Sequence, residues 1–230
     1  MENLSIHIQV SSELFLKNPA DSKLGQSILS KSLVLIDQLG FEAFTFKKLG
    51  EKIGSPESSI YRYFKSKHTL LLYLTSWYWS ALEYQLAFET ANQTSEIKTL
   101  KIAIKSLSKP LILPKNSSFL NEELLCKIVI TEFIKTYHTK AIDNENKMGY
   151  FKAYKQLVER LSAIILNVNQ SFKYPHMLAS TIIEGMHEQR FFASHLPSLT
   201  DVSAESKIVE NFYVDMALKM TQKNSVDIKI

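Results

Sequence analysis

Glycine and proline are scarce: there are six of each in 230 residues, about 5% of the chain where average proteins carry about 12%. Sandwiches, barrels and glycine-rich nucleotide sites need many tight turns, and this sequence has too few turn-makers for them. Cysteine is scarcer still. Cys126 stands alone in the apolar run Leu124-Leu125-Cys126-Lys127-Ile128, so no disulfide can form within one chain and the thiol reads as core packing. Long apolar runs are missing too. The longest uncharged stretch, Thr69 to Leu82, is too short to span a bilayer and is interrupted by Thr75, Ser76 and Ser80. The first residues carry Glu2 and Glu13 and no basic segment, unlike a signal peptide. The chain is therefore expected to be cytoplasmic, without membrane contact.

Enzymatic signatures are lacking as well. The six histidines (His7, His68, His138, His176, His187, His195) show no close metal-ligand spacing. No phosphate loop, nucleophile elbow or dinucleotide glycine pattern occurs. No catalytic residue, cofactor or metal is expected.

What is present is helical, with 45% hydrophobic residues to build a core. Gly25, Gly40, Gly50 and Gly54 all lie in the first quarter of the chain, leaving Gly149 and Gly185 for the rest. The sharply turned part of the molecule is thus near the N-terminus. Residues 1–20 form an arm in which Ser5 to Val10 alternate polar and apolar, closed by Pro19. With no second strand to pair with, it is either disordered or packed on the body. From Asp21 or Ser22 a helix runs through Leu24, Ile28, Leu29, Val34, Ile36 and Leu39 to Gly40. Thr45 caps the next, with Phe44 placed to staple onto Leu49, and Gly54 ends it. Ser55 as cap with Pro56 at the first helical position opens a helix of about two turns to Phe64. Ser66 or Lys67 then begins a long helix to about Thr90, and further helices are expected near 95–109, 119–139, 145–171, 175–195 and 203–222.

Charge is concentrated where the turns are. Between Phe41 and Leu70, Lys47, Lys48, Lys52, Arg62, Lys65 and Lys67 oppose Glu42, Glu51 and Glu57, so most of the net +4 sits in thirty residues. Such a window is either a solvated helix face or a phosphate-facing one. Two short helices joined at Gly54-Ser55 within it form a helix-turn-helix candidate, the first crossing the phosphate backbone and the second entering the major groove.

The run from Gly40 to Gly54, continued by Ile60-Tyr61-Arg62-Tyr63-Phe64-Lys65-Ser66-Lys67 and Leu70-Leu71, resembles the DNA-binding domain of the tetracycline-repressor (TetR/AcrR) family over roughly residues 22–80. The resemblance implies an all-α protein: a helix-turn-helix DNA-binding domain at 21–68 and a helical effector-binding and dimerisation domain at 69–230. It implies that Thr45 and Lys47 meet phosphates, that Ser58, Ser59 and Arg62 are exposed on the recognition helix, that Tyr61 and Tyr63 touch the backbone, and that Lys67 meets a phosphate at the start of the fourth helix. Two positions depart from the family pattern. Pro56 replaces the usual serine, and Glu57 stands where a lysine, glutamine or small residue is usual. Glu57 either accepts from cytosine N4 or stabilises the helix dipole.

By the same resemblance the protein is a ligand-responsive transcriptional regulator, a repressor, binding a palindromic double-stranded DNA operator as a homodimer. The twofold is expected through the last two helices, 175–195 and 203–222, with apolar stripes Met177, Leu178, Ile182, Met186 and Ile208, Phe212, Met216. A small apolar effector is expected among the aromatic residues of the later helices, with polar candidates at His138 and Glu184 to Arg190, the latter run reading first as subunit contacts on a dimer helix. The alternative is a helical small-molecule-binding protein or enzyme whose helix-turn-helix no longer binds DNA.

Overall fold

The computed structural model describes residues 8, 10–111, 117–202 and 207–222. Among them are eleven α-helices and no strand: α1 (Lys23–Ala43), α2 (Phe46–Ile53), α3 (Glu57–Ile60), α4 (Lys67–Thr90), α5 (Glu96–Ser108), α6 (Glu122–Glu132), α7 (Ile134–Tyr137), α8 (Ile142–Lys147), α9 (Lys152–Val168), α10 (Pro175–His195) and α11 (Lys207–Thr221). The chain divides into two compact units, Met1–Leu82 with Pro110–Lys155, and Glu83–Lys109 with Gln156–Ile230. Residues 21–68 fall in the first unit, and residues 69–230 are shared by both.

In the first unit, Ser22 caps α1 by accepting from the Gly25 N–H at 3.1 Å. Ile28, Leu29 and Leu33 are fully buried along one face of that helix, each worth about 1.5–3 kcal/mol of burial. Phe44, Leu49, Ile60, Phe64, Leu70 and Leu71 complete the same core. At Gly40 the backbone turns through φ +74°, a conformation that costs glycine nothing, and α1 is broken there. The helix α6 lies along α1. Its buried Glu132 accepts from the Phe41 N–H through Oε1 at 3.3 Å, and Lys135 lies 2.7 Å from the other carboxylate oxygen and 3.4 Å from Glu42. Lys127 pairs with Asp37 at 2.5 Å, and His68 with the buried Glu145 at 2.9 Å.

The arm is packed where it is described, while residues 1–7 and 9, which include most of the alternating segment, lie outside the described residues. Leu14 is wholly buried. The Phe15 ring meets Tyr73 edge-on at 6.0 Å, and the Leu16 N–H donates to the Tyr63 carbonyl at 2.8 Å. Pro19 presses against α1 at Gly25, where a Cβ would lie 2.2 Å from the Pro19 carbonyl oxygen.

Two of the expected helices are broken. The one expected over 145–171 is interrupted at Gly149, whose φ of +80° no helix accommodates, so α8 and α9 replace it. The one expected over 119–139 is divided at Phe133. There the Phe133 carbonyl accepts both the Thr136 N–H at 2.8 Å and the Thr136 hydroxyl at 2.6 Å. Those bonds tighten the turn and leave α7 only four residues long.

The second unit is built on α5, α10 and α11, which contact one another pairwise. Gly185 lets Tyr213 approach α10 closely: a Cβ there would fall 2.0 Å from the phenol oxygen. The Ser108 hydroxyl donates to Glu210 at 2.6 Å, and Arg190 donates to the Ser108 carbonyl. A cleft of about 860 Å³ in this unit is lined largely by carboxamides, threonines and carboxylates, among them Gln93, Glu96, Gln156 and Glu159.

His187 is buried on α10 with Nδ1 2.8 Å from the Ile183 carbonyl oxygen. Burial, opposed by that bond and assisted by the nearby Arg190 charge, pushes its pKa down to about 4. Between the ordinary value of about 6.5 and about 4, the unfolded chain takes up this proton and the folded one does not. Stability therefore rises with pH across that window and is lost on acidification, by up to about 3 kcal/mol at its lower end. Urea midpoints should show a His187→Gln variant with a flatter acid limb than the parent. An identical pH dependence would exclude His187 as its source.

Candidate nucleic-acid interface

The α2–turn–α3 segment is shaped by local chemistry. The Thr45 hydroxyl caps α2 by accepting from the Lys48 N–H at 3.2 Å. Gly54 closes that helix in the left-handed region at φ 66°. The turn then doubles back so tightly that the Ser55 N–H donates to the Gly50 carbonyl at 3.0 Å. A Cβ on Gly50 would lie 2.7 Å from the Ser55 carbonyl oxygen, which is why a glycine sits inside α2. Pro56, not Ser55, is the residue that opens α3, and it offers no side-chain cap. The expected two turns shrink to one turn of helix, Glu57–Ile60, followed by tight turns in which the Tyr63 and Phe64 N–H groups both donate to the Ile60 carbonyl at 2.8 and 3.1 Å.

The eight residues expected to meet DNA divide by environment. Thr45, Lys47, Ser58, Tyr61 and Arg62 are exposed, and Ser59 is half-buried. Tyr61 is 47% exposed, and its ring leans edge-on against Phe46 at 5.1 Å, so packing fixes the ring while much of its surface faces water. Exposed Lys52 and Lys65 extend the basic face, with Glu51 exposed and Glu57 half-buried among them. Lys48 turns back to donate to the Ala43 carbonyl at 2.8 Å.

Tyr63 and Lys67 are committed inside the domain. Tyr63 is 3% exposed, and its hydroxyl is 2.8 Å from the Ser22 hydroxyl. The Lys67 ammonium donates to the carbonyls of Phe41, Glu42 and Phe44 at 2.9, 2.9 and 3.2 Å and lies 4.8 Å from the Phe41 ring centroid. Three protons meet three acceptors, so Lys67 holds the bend between α1 and α2. Sequence reasoning did not find this clamp, nor the arm's bond to Tyr63.

The first unit also contains an aromatic group. Trp79 lies 4.9 Å from Phe133 and 4.8 Å from Tyr154 between ring centroids, and Phe133 lies 4.8 Å from Tyr137. Among the described residues, no cluster of three or more His, Cys, Asp or Glu could hold a metal ion. No described helix is long and apolar enough to cross a membrane.

Residues 28–74, spanning most of α1 through the first turns of α4, match the family described as bacterial regulatory proteins, tetR family. No curated protein matches the chain in sequence. Many solved structures share its fold. A tetR-family bacterial regulatory protein from Rhodococcus RHA1 has a TM-score of 0.61 at 11% identity, over 89% of this chain and 97% of that one. The fatty acid degradation regulator FadR from Bacillus halodurans gives 0.59 at 13% identity, over 86% and 95%. AibR, solved in complex with isovaleryl coenzyme A and operator DNA, gives 0.54 at 12% identity, over 85% and 96%. Residues 28–74 thus match the tetR family of bacterial regulatory proteins, and the chain has the fold of these solved structures.

Proposed function

We propose that the protein is a ligand-responsive transcriptional repressor that binds a palindromic operator as a homodimer. The observation that carries this reading is the exposed basic face of α2–turn–α3, within the residues that match the tetR family. Thr45 and Lys47 contact phosphates at the start of α2, Ser58, Ser59 and Arg62 face base edges, and the Tyr61 hydroxyl reaches the backbone. Tyr63 and Lys67 act from behind by fixing the bend and the end of α3.

The dimer forms through α10 and α11. Met177 is 67% exposed, Ile208 53% and Phe212 59%, and this unpartnered apolar surface supports the assignment. Of the apolar stripes on these helices, Leu178, Ile182 and Met186 are buried within the chain's own second unit and contribute core. The effector is a small apolar molecule, a reading supported by the aromatic group around Trp79 and by the apolar acyl group of the isovaleryl coenzyme A in complex with AibR. Effector binding lowers operator affinity by favouring one conformation of the dimer.

The test is a gel shift against the DNA flanking the protein's own gene, repeated over a salt series. Binding should weaken steeply with salt, because neutralised phosphates release counterions. Arg62→Ala should weaken it by about 1–3 kcal/mol and relax sequence preference at one position. Phe212→Glu should weaken operator binding and convert dimer to monomer in sedimentation. A flat salt dependence, or wild-type binding by both variants, would refute the reading in favour of a helical ligand carrier.

A further inference from the structure

The last stretch of the arm before α1 is fixed on both sides of a single lysine. Ahead of it, Leu14 is wholly buried, the Phe15 ring meets Tyr73, and the Leu16 N–H donates to the Tyr63 carbonyl at 2.8 Å. Behind it, the Asn18 side chain accepts from the Ala20 N–H at 3.2 Å, and Pro19 presses on α1 at Gly25. Burial of Leu14 and Phe15 is enough to hold an arm against α4. Leu16, 57% exposed, and exposed Lys17 carry the chain past that apolar surface, and a backbone bond to Tyr63 holds them there. The Lys17 ammonium lies 5.5 Å from the Tyr63 ring centroid. Among the described residues it has no ion pair or hydrogen bond. The backbone is pinned while the charge is left for something else.

Tyr63 joins this arm to the basic face. It follows Arg62 directly in the turns after α3, and its hydroxyl is 2.8 Å from that of Ser22, the cap of α1. Lys17, Lys23, Arg62 and Lys65 are all exposed in the segments that meet at Tyr63. Asp21 is the opposing charge of the arm's turn, and it acts on the Tyr73 phenol. A duplex read by α3 brings its phosphates to the same place. The major groove is about 12 Å wide, so a helix seated in it has a sugar-phosphate strand about 6 Å from its axis on either side. Lys17 stands one tyrosine ring away from the end of that helix, within a side chain's reach of the strand.

We propose that the N-terminal arm is part of the DNA interface and that Lys17 contacts a phosphate of the groove wall beside α3. This contact rests on the reading of α2–turn–α3 as the DNA-reading unit, and it adds a residue that the eight expected ones do not include. Tyr63 is too buried to do the contacting and acts as the seat: its carbonyl holds the arm and its ring carries the ammonium. Backbone ordered in advance lowers the cost of ordering the lysine on binding. A phosphate contact carries no base information, so the arm adds affinity and register to the interface without sequence preference.

The test follows fluorescence anisotropy of the full chain on a duplex from the DNA flanking its own gene and on a scrambled duplex of the same composition, from about 50 to 200 mM salt. Lys17→Gln should weaken both duplexes alike, about five- to tenfold for each subunit bound at low salt, and lower the salt slope by about one per subunit. Lys17→Arg should restore both quantities. Lys98→Gln removes an exposed cation from α5 in the second unit and should leave the slope unchanged. Every variant should melt with the parent, because Leu14 and the Leu16 amide are untouched. A full slope in Lys17→Gln, with Arg62→Ala still weakening binding, would overturn the arm contact and leave the DNA reading standing. A parent chain that binds neither duplex would sink both. An equal fall in Lys98→Gln would reassign the effect to net charge, and a loss confined to the flanking duplex would reassign Lys17 to base reading. Either result would refute the phosphate contact.

Discussion

Replacing Gly25 by alanine is expected to lower the melting temperature by about 4–8 °C and to release the N-terminal arm. In an ordinary helix interior the same change would stabilise by up to about 1 kcal/mol, because alanine is the better helix former. Here the new Cβ would sit 2.2 Å from the Pro19 carbonyl oxygen and 2.6 Å from its Cα. Those are backbone atoms, and they cannot swing aside. Asn18 caps the turn that holds them, and the Gln26 side chain donates to the Ala20 carbonyl at 2.8 Å. The arm or the helix must move, at a cost of about 1–3 kcal/mol for overpacking. If the arm yields, Leu14 leaves the core and the Leu16–Tyr63 bond breaks. Differential scanning calorimetry reads the first effect. Limited trypsin digestion reads the second, because Lys17 becomes cleavable while α1 stays intact. An unchanged melting temperature together with an uncleaved arm would show that the crossing at Gly25 has room for a methyl group.

The second large effect is expected at Lys67. Lys67→Met keeps the apolar stem and removes the ammonium from the Phe41, Glu42 and Phe44 carbonyls. Hydrogen bonds to charged groups are worth about 1.5–3 kcal/mol, so the variant should lose about 2–3 kcal/mol of stability. Arginine should rescue only part of this, because a planar fork cannot point three donors at one cluster of carbonyls. DNA binding offers a sharper distinction. A lysine that meets phosphate changes the salt slope of binding by about one when removed. Lys67→Met should instead lower operator affinity with the slope unchanged, because the bend at Phe44 leads directly into the Thr45 cap of α2. A slope reduced by one with full thermal stability would restore Lys67 to the phosphate backbone.

These two sites mark what the sequence made legible and what it did not. Local chemistry was readable. Thr45 as a cap, Gly54 as a left-handed stop and the span of α4 all follow from the identities of a few neighbouring residues. The helix-turn-helix was readable because its geometry depends on such short-range signals. Bonds between distant residues were not. Glu132 meets the Phe41 N–H across 91 positions, and Ser22 meets Tyr63 across 41. No periodicity connects them. Gly50 was visible as a small residue inside a helix, but the reason, the Ser55 carbonyl returning to within 2.7 Å of its absent side chain, needs the folded turn. Gly149 was passed over because the apolar spacing on either side of it is helical, and backbone conformation overrode that pattern. The extent of α3 depended on which residue opens it. With Pro56 in the capping position, the helix begins one residue later and ends after four.

That brevity limits how much the protein can know about a DNA sequence. Four residues of helix advance about 6 Å along its axis, less than two base-pair steps of about 3.4 Å. On the proposed reading, in which Ser58, Ser59 and Arg62 reach base edges, each half of a palindrome would yield only a few bits of directly read information. The remaining discrimination must come from the groove width and stiffness of the flanking base pairs. Operators for such a reader would form a family of related shapes around a short shared core, and substitutions at untouched positions would tune them against one another.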